Sequence, residues 1–342
     1  MTRLRLAAAA AAAALVVSGC GGGGGGSNED GGLSIKQVRL AIDNDDFMNS
    51  LAWMIADDMF WPELGFTEKA YVVATDEYLA GLFGGDVWVV QGESDAIWAA
   101  LAEGSIPMKI IGVEKDSEAW YLGIREGVDP NNLAGLKISG GPVGDRNITV
   151  GRHILEDMGV DPDSLEWVQV EGGSDERLQA LIAGNLDVAV LQPRHVIPLE
   201  RAGGQMIYQK FQKVPQEVWV VRSETMENNR DAVCAYLEGR IAAKQFASAG
   251  DDYTENQDEA IAIAAKYGIE PSEGDLAEWA TEMEGNWSLD GGSSLEAFDQ
   301  WNQDMIDNGN VPAGFDWREH ADFSCLTEVQ QKLGLPPNPG NI

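Results

Sequence analysis

Between residues 38 and 113 short apolar runs alternate with segments of helical length. The runs at 38–42, 70–73, 87–90 and 108–113 read as strands, and those at 50–60, 76–83 and 95–102 as the helices between them. Strands alternating with helices predict βαβ units and a largely parallel sheet covered on both faces. After one more strand-like run at 121–125 the rhythm restarts, with strands at 136–139, 166–170 and 188–191 and helices at 148–158, 175–183 and 197–201. A second α/β lobe is the simplest account. Two further strand-like runs, 205–211 and 217–221, precede a change of composition: from Asn228 onward the pattern is almost wholly helical and rich in Trp, Ala, Glu and Asp. That tail is expected to pack back on the first lobe.

Three strand–turn–helix units share a signature. Thr75-Asp76-Glu77 leads to Gly85, Gly92-Glu93-Ser94-Asp95 to Gly104, and Gly172-Gly173-Ser174-Asp175-Glu176 to Gly184. A hydroxyl at a helix start caps exposed N–H groups, acids in the first turn suit the dipole, and glycine ends the helix. Ordinary helix boundaries explain these residues, but not the same unit in both halves. Units one and three come before strands that end in glutamine, Gln91 and Gln192. Parallel sheets bind ligands at the carboxyl ends of their strands, so the two glutamines are expected to face each other across a cleft.

The first residues argue for export. Arg3 and Arg5 precede an apolar run from Leu6 to Val17, which is too short for the roughly 20 residues of a spanning helix, and Ser18-Gly19-Cys20 follows as a small-residue cleavage site. Residues 21–34, opening with six glycines, read as a flexible tether. The formal charge of −33 makes nucleic acid an unlikely partner and sets the surface against anionic lipid. Three cysteines leave Cys234 and Cys325 as a candidate disulfide if Cys20 is consumed otherwise; a buried thiol at Cys234 is the alternative.

Val17-Ser18-Gly19-Cys20 resembles a bacterial lipobox, which implies lipid on Cys20 and anchoring to the cell membrane. Further along, Leu133-Ala134-Gly135-Leu136-Lys137-Ile138, the 178–187 stretch ending Ala-Gly-Asn-Leu-Asp, and 218–223 ahead of a 231–246 helix resemble the periplasmic solute-binding proteins of the nitrate, sulfonate, taurine and thiamine-pyrimidine importers. The resemblance implies an α/β, two-lobed periplasmic-binding-protein type II fold. Lobe one would hold 35–118 and 220–342 and lobe two 119–219, with crossings near 114–122 and 213–220. It also implies a monomer that captures a small organic solute for ABC permease subunits, without cofactor or metal. The ligand subgroup does not follow, because the loop Asp43-Asn44-Asp45-Asp46-Phe47 is more acidic than an anion site favours.

Candidate ligand contacts are Asp43, Phe47, Gln91, Ser94, Trp120, Arg146, Asn147, Gln192 and Arg194. The glycine-rich turn at 140–147 precedes a helix, so its backbone N–H groups and Arg146 offer an anion site; a plain turn with a solvated arginine is the other reading. Trp120 offers a ring to a planar solute. Arg194 and His195 follow Gln192 as possible donors. The acidic loop and the tryptophans favour an uncharged or heteroaromatic solute, the arginines a small anion such as sulfonate or nitrate. A competing enzyme reading rests on Gly92-Glu93-Ser94-Asp95-Ala96, which approaches a hydrolase nucleophile elbow but lacks its last glycine and has only His320 as a late base. His153, His195 and His320 have no metal-ligand spacing.

Overall fold

A computed structural model of the chain describes residues 32–75, 77–142 and 146–339, and only the backbone of Arg146 and Glu278. The leader with Cys20, the tether as far as Gly31, Asp76, the 143–145 turn and the Arg146 side chain lie outside the described residues.

The first series comprises β1 (Gln37–Ile42), α1 (Phe47–Ile55), β2 (Glu68–Ala74), α2 (Tyr78–Gly84), β3 (Val89–Glu93) and α3 (Ser94–Glu103). Then come β4 (Met108–Ile124), β5 (Lys137–Ser139), α4 (Arg146–Asp157), β6 (Glu166–Trp167), α5 (Ser174–Ile182), β7 (Val188–Leu191), α6 (Val196–Arg201) and β8 (Gln205–Arg222). The tail is helical: α7 (Ser223–Asn228), α8 (Arg230–Ala247), α9 (Gln257–Lys266), α10 (Glu273–Thr281), α11 (Leu295–Asp307) and α12 (Ser324–Lys332). The expected glycine stops hold, with Gly85 and Gly104 closing α2 and α3 in left-handed backbone that suits glycine.

The sheet corrects the expectation of a largely parallel arrangement. Its eight strands run in the order β2-β1-β3-β8-β4-β7-β5-β6. The β1–β2, β1–β3, β5–β6 and β5–β7 pairs are parallel, as βαβ units require, whereas β3–β8, β8–β4 and β4–β7 are antiparallel. What reads in sequence as four short strands, 108–113, 121–125, 205–211 and 217–221, is two long ones. The polar residues 114–118 and the mixed stretch 212–216, with Pro215, break the apolar pattern, yet backbone pairing resumes across them and runs from Met108↔Arg222 to Ile124↔Gln205. The register shifts between Ile110 and Gly112, between Val113 and Lys115, and between Lys115 and Ser117. Such bulges sharpen the twist, so the ribbon turns between its two ends.

The apolar core divides on either side of that ribbon. One large cluster joins β1–β3, the start of β4 and the end of β8 to the tail helices, with Trp61, Trp219, Trp279 and Trp317 fully buried. Two smaller clusters flank the second part of the sheet, one around Leu122, Ile138 and Ile154, the other around Tyr121, Leu181 and Leu191. The tail covers the first half as expected, and Cys234 on α8 is bonded to Cys325 on α12. It also reaches further than expected: α10 touches the second half, where Glu273 pairs with Arg201 and the backbone of Gly274 lies against Arg194. A Cβ at Gly274 would sit 2.6 Å from the Arg194 carbonyl oxygen, so only glycine permits that approach. At the other end of the chain Ser34, assigned to the tether by sequence, is tied to the body through the carboxylate of Asp231.

Candidate functional site

The strand directions bring two sets of carboxyl ends to one place. β3 ends at Glu93, opposite Glu217, while β7 ends at Leu191, opposite Tyr121. Between these two points the β4–β8 ribbon carries no third strand. Loops at the ends of β1, β3, β5 and β7 therefore converge above the middle of the ribbon, the position at which α/β sheets bind ligands. A cleft of about 480 Å³ lies there, lined from the first half by Asp43–Asp46, Met48 and Glu93, from the ribbon by Lys115, Trp120 and Glu217, and from the second half by Asn147, Ser174, Gln192 and Arg194. A larger groove of about 740 Å³ continues past Glu118 and Trp120 between α4 and α11; of the segments that follow β1, β3 and β7 it meets only Asp95, on α3.

The floor is a buried polar chain. Asn49 on α1 donates to Asp43 (2.6 Å), and its side-chain oxygen accepts from Gln91 (2.7 Å). Gln91 also donates to Glu217 (3.0 Å) and accepts from Arg240 on α8 (2.7 Å). Glu217 pairs with Lys115 at 2.5 Å, and behind them Arg240 and Lys244 hold the fully buried Glu114 at 2.5 and 3.3 Å. Burial pushes Glu217 upward against the attraction of Lys115. Burial works against the charge of Lys115 too, yet Glu217, Asp46, Glu282 and Asp43 together hold its ammonium above the usual lysine range. Burial also raises Asp43 and Glu282 above ordinary carboxylates, with Lys115 pulling the other way in both.

The wall from the second half is held by a different set of contacts. His195 accepts the Gln192 backbone N–H at Nδ1 (3.2 Å) and meets Asp175 at Nε2 (2.7 Å). One neutral tautomer, with the proton on Nε2, satisfies both. Burial, then the nearby Arg194, keep His195 below its ordinary pKa although Asp175 pulls upward. Arg194 donates to Gln192 and Ser174 and lies 3.5 Å from Asp175.

Of the nine candidate contacts, Asp43, Trp120, Asn147, Gln192 and Arg194 line the cleft. Three do not. Gln91 is completely buried because β3 is a central strand and its side chain is enclosed by Asn49 of α1 and Arg240 of α8, so it braces the floor instead of facing Gln192. Phe47 packs into the core against Trp279. Ser94 is the first residue of α3, fully enclosed, with an Oγ that neither caps the helix nor reaches the surface. An enclosed hydroxyl has no access to a substrate, which removes the geometric basis for a serine nucleophile. Arg146 lies outside the described side chains. Sequence reading missed Lys115 and Glu217, charges at the edges of apolar strand runs, where a polar residue reads as the end of a strand. It also missed Asp275, Glu282 and Asn286, which arrive from the tail with no local signature.

No protein-family model matches the chain, and no curated protein matches it by sequence. Solved structures do. The periplasmic sulfonate-binding protein SsuA from Methylobacillus flagellatus KT superposes with a TM-score of 0.67 at 14% identity, covering 91% of this chain and 99% of its own. The aliphatic sulphonate binding protein SsuA from Escherichia coli gives 0.62 at 15% identity, covering 84% and 92%. The nitrate-binding protein NrtA from Synechocystis PCC 6803 gives 0.61 at 14% identity, covering 89% and 91%. These likenesses show that the chain has the periplasmic binding protein fold.

Proposed function

We propose, from the premise of a periplasmic binding protein fold, that the chain is the extracytoplasmic substrate-binding component of an ABC importer. The first and second halves act as lobes that close on a small organic solute, and permease subunits receive it. The observation that carries this reading is the convergence of strand ends from both halves over a two-stranded ribbon. A ribbon with bulges in its middle can flex while each lobe stays packed on its own core. The similarity to sulfonate- and nitrate-binding proteins supports the transport role, and the leader with Cys20 supports export and lipid anchoring of a monomer. The division of the apolar core supports a lobe boundary near 118, whereas Val214, Val218 and Trp219 pack with the first core, which favours a return crossing on β8 before 214 rather than at 220.

A thermal-shift screen combined with small-angle scattering tests the proposal. A solute that binds the cleft raises Tm by mass action and contracts the particle as the lobes close. Solutes from the anion, amine, pyrimidine and sugar classes that all leave Tm and radius unchanged would contradict it.

A further inference from the structure

Resting on the reading of the cleft as the solute site, we infer that the solute is an organic cation held through a protonated amine, not a sulfonate or a nitrate. Among the described residues the cleft wall carries nine carboxylates and three cations, Lys115, Arg177 and Arg194. All three cations are already engaged. Lys115 is bound to Glu217, Arg194 is shared among Gln192, Ser174 and Asp175, and the buried Arg177 donates to the Val190 carbonyl (2.9 Å). Among the described residues the carboxylates of Asp43, Asp45, Asp46, Asp275 and Glu282 line the same space without an ion pair within 4 Å, although Lys115 attracts Asp43, Asp46 and Glu282 from further off. An anion entering would meet this excess of negative charge with no uncommitted cation among these three.

A second observation, independent of charge, points the same way. Asn286 is 7% exposed and lines the cleft, and its Oδ1 has no hydrogen-bond partner while its Nδ2 donates to Glu282 (2.8 Å). The Oε1 of Gln216, on the ribbon, is likewise buried and unpartnered. Buried polar groups are ordinarily satisfied, so such orphans mark places where something else supplies the partner. These two orphans are acceptors; a third on the same wall, the Nε1 of Trp120, is a buried donor without a partner, so the occupant must bring an acceptor as well as N–H donors. A sulfonate or nitrate oxygen cannot satisfy an acceptor, and a quaternary ammonium has no N–H; a protonated amine has up to three. Trp120, half-buried between the halves, adds a ring face that attracts cations. The carboxylates are spread around the wall, and no group of three metal-ligating side chains converges among the described residues, which suits an extended organic cation better than a metal ion.

The test uses the folded chain and a panel of alkyl mono-, di- and triamines, each paired with the alcohol of the same skeleton, beside tetramethylammonium, methanesulfonate, sodium nitrate and zinc chloride. At least one amine is expected to raise Tm where its alcohol does not, with binding at 1:1 stoichiometry by calorimetry that weakens as salt is raised. Asp43→Asn and Glu282→Gln are each expected to raise the Kd of that amine about tenfold or more while leaving the far-ultraviolet dichroism unchanged. Asn286→Leu, which removes an acceptor without removing a charge, is expected to weaken the amine and spare tetramethylammonium. Stabilisation by methanesulfonate or nitrate, but by no amine, overturns the cation assignment and leaves the transport reading standing. Zinc alone binding overturns it in favour of a metal. Silence from every compound overturns both.

Discussion

The two halves of the molecule use the same strand–helix–strand chemistry but are secured differently. The first half gathers one large core, a covalent link between α8 and α12, and a fully buried Arg240–Glu114–Lys244 cluster packed against Trp219. The second half has two thin cores and keeps most of its charged pairs, such as Arg125–Asp187 and Arg152–Asp163, at or near the surface. Buried charges are costly unless fully paired, so a cluster like that of Glu114 survives only where surrounding packing fixes it. On the proposed reading, the first half is the more firmly braced jaw, which sets the charge of the cleft, and the second the lighter jaw expected to move against it.

Breaking the rigid jaw covalently is expected to have the largest effect. Replacing Cys234 and Cys325 by alanine opens a link spanning 91 residues of sequence. That should cost about 4–5 kcal/mol on the chain-entropy account, read by urea unfolding. Next, Glu114→Gln leaves Arg240 and Lys244 buried without their counter-charge and should cost about 3–5 kcal/mol. A loss below about 1 kcal/mol would mean the cluster is solvated and the jaw less rigid than argued.

The lighter jaw should show its own pH dependence. Folding holds His195 neutral with its pKa below the ordinary 6.5, so the unfolded chain binds a proton that the folded chain refuses as pH falls through that value. The stability contributed by neutral His195 is complete above pH 6.5 and declines on acidification toward the folded pKa. Thermal melts between pH 5 and 7.5 should show this decline, and His195→Gln should flatten it. The smallest effect is expected from the exposed Arg201–Glu273 pair between α6 and α10. Arg201→Ala should change solute affinity by no more than a few-fold, since exposed ion pairs contribute little. A large loss would make α10 a latch and not a contact.

Much of the fold is legible because hydrophobic period and turn chemistry are local. The paired βαβ series, the helical tail and the glycine stops after α2 and α3 follow from neighbouring residues. The ribbon is not legible as such, because a strand crossing between two cores turns polar at Glu114–Glu118 where it leaves one core, and a pattern reader sees an end there. The site divides in the same way. Asp43, Gln192 and Arg194 follow from the rule that strand ends carry ligands, and Gln91 fails it because a central strand covered by α1 and α8 is sealed. Glu282 and Asn286 are brought in by the path of the tail, which no spacing in the sequence encodes.

Hydrogen–deuterium exchange on the protein, alone and saturated with whichever solute raises its Tm, tests the shared cleft most directly. Protection is expected together at 43–49, 115–120, 190–195 and 282–286, from both jaws and the ribbon between them. Protection limited to one jaw, or centred on the groove beside α11, would contradict the account.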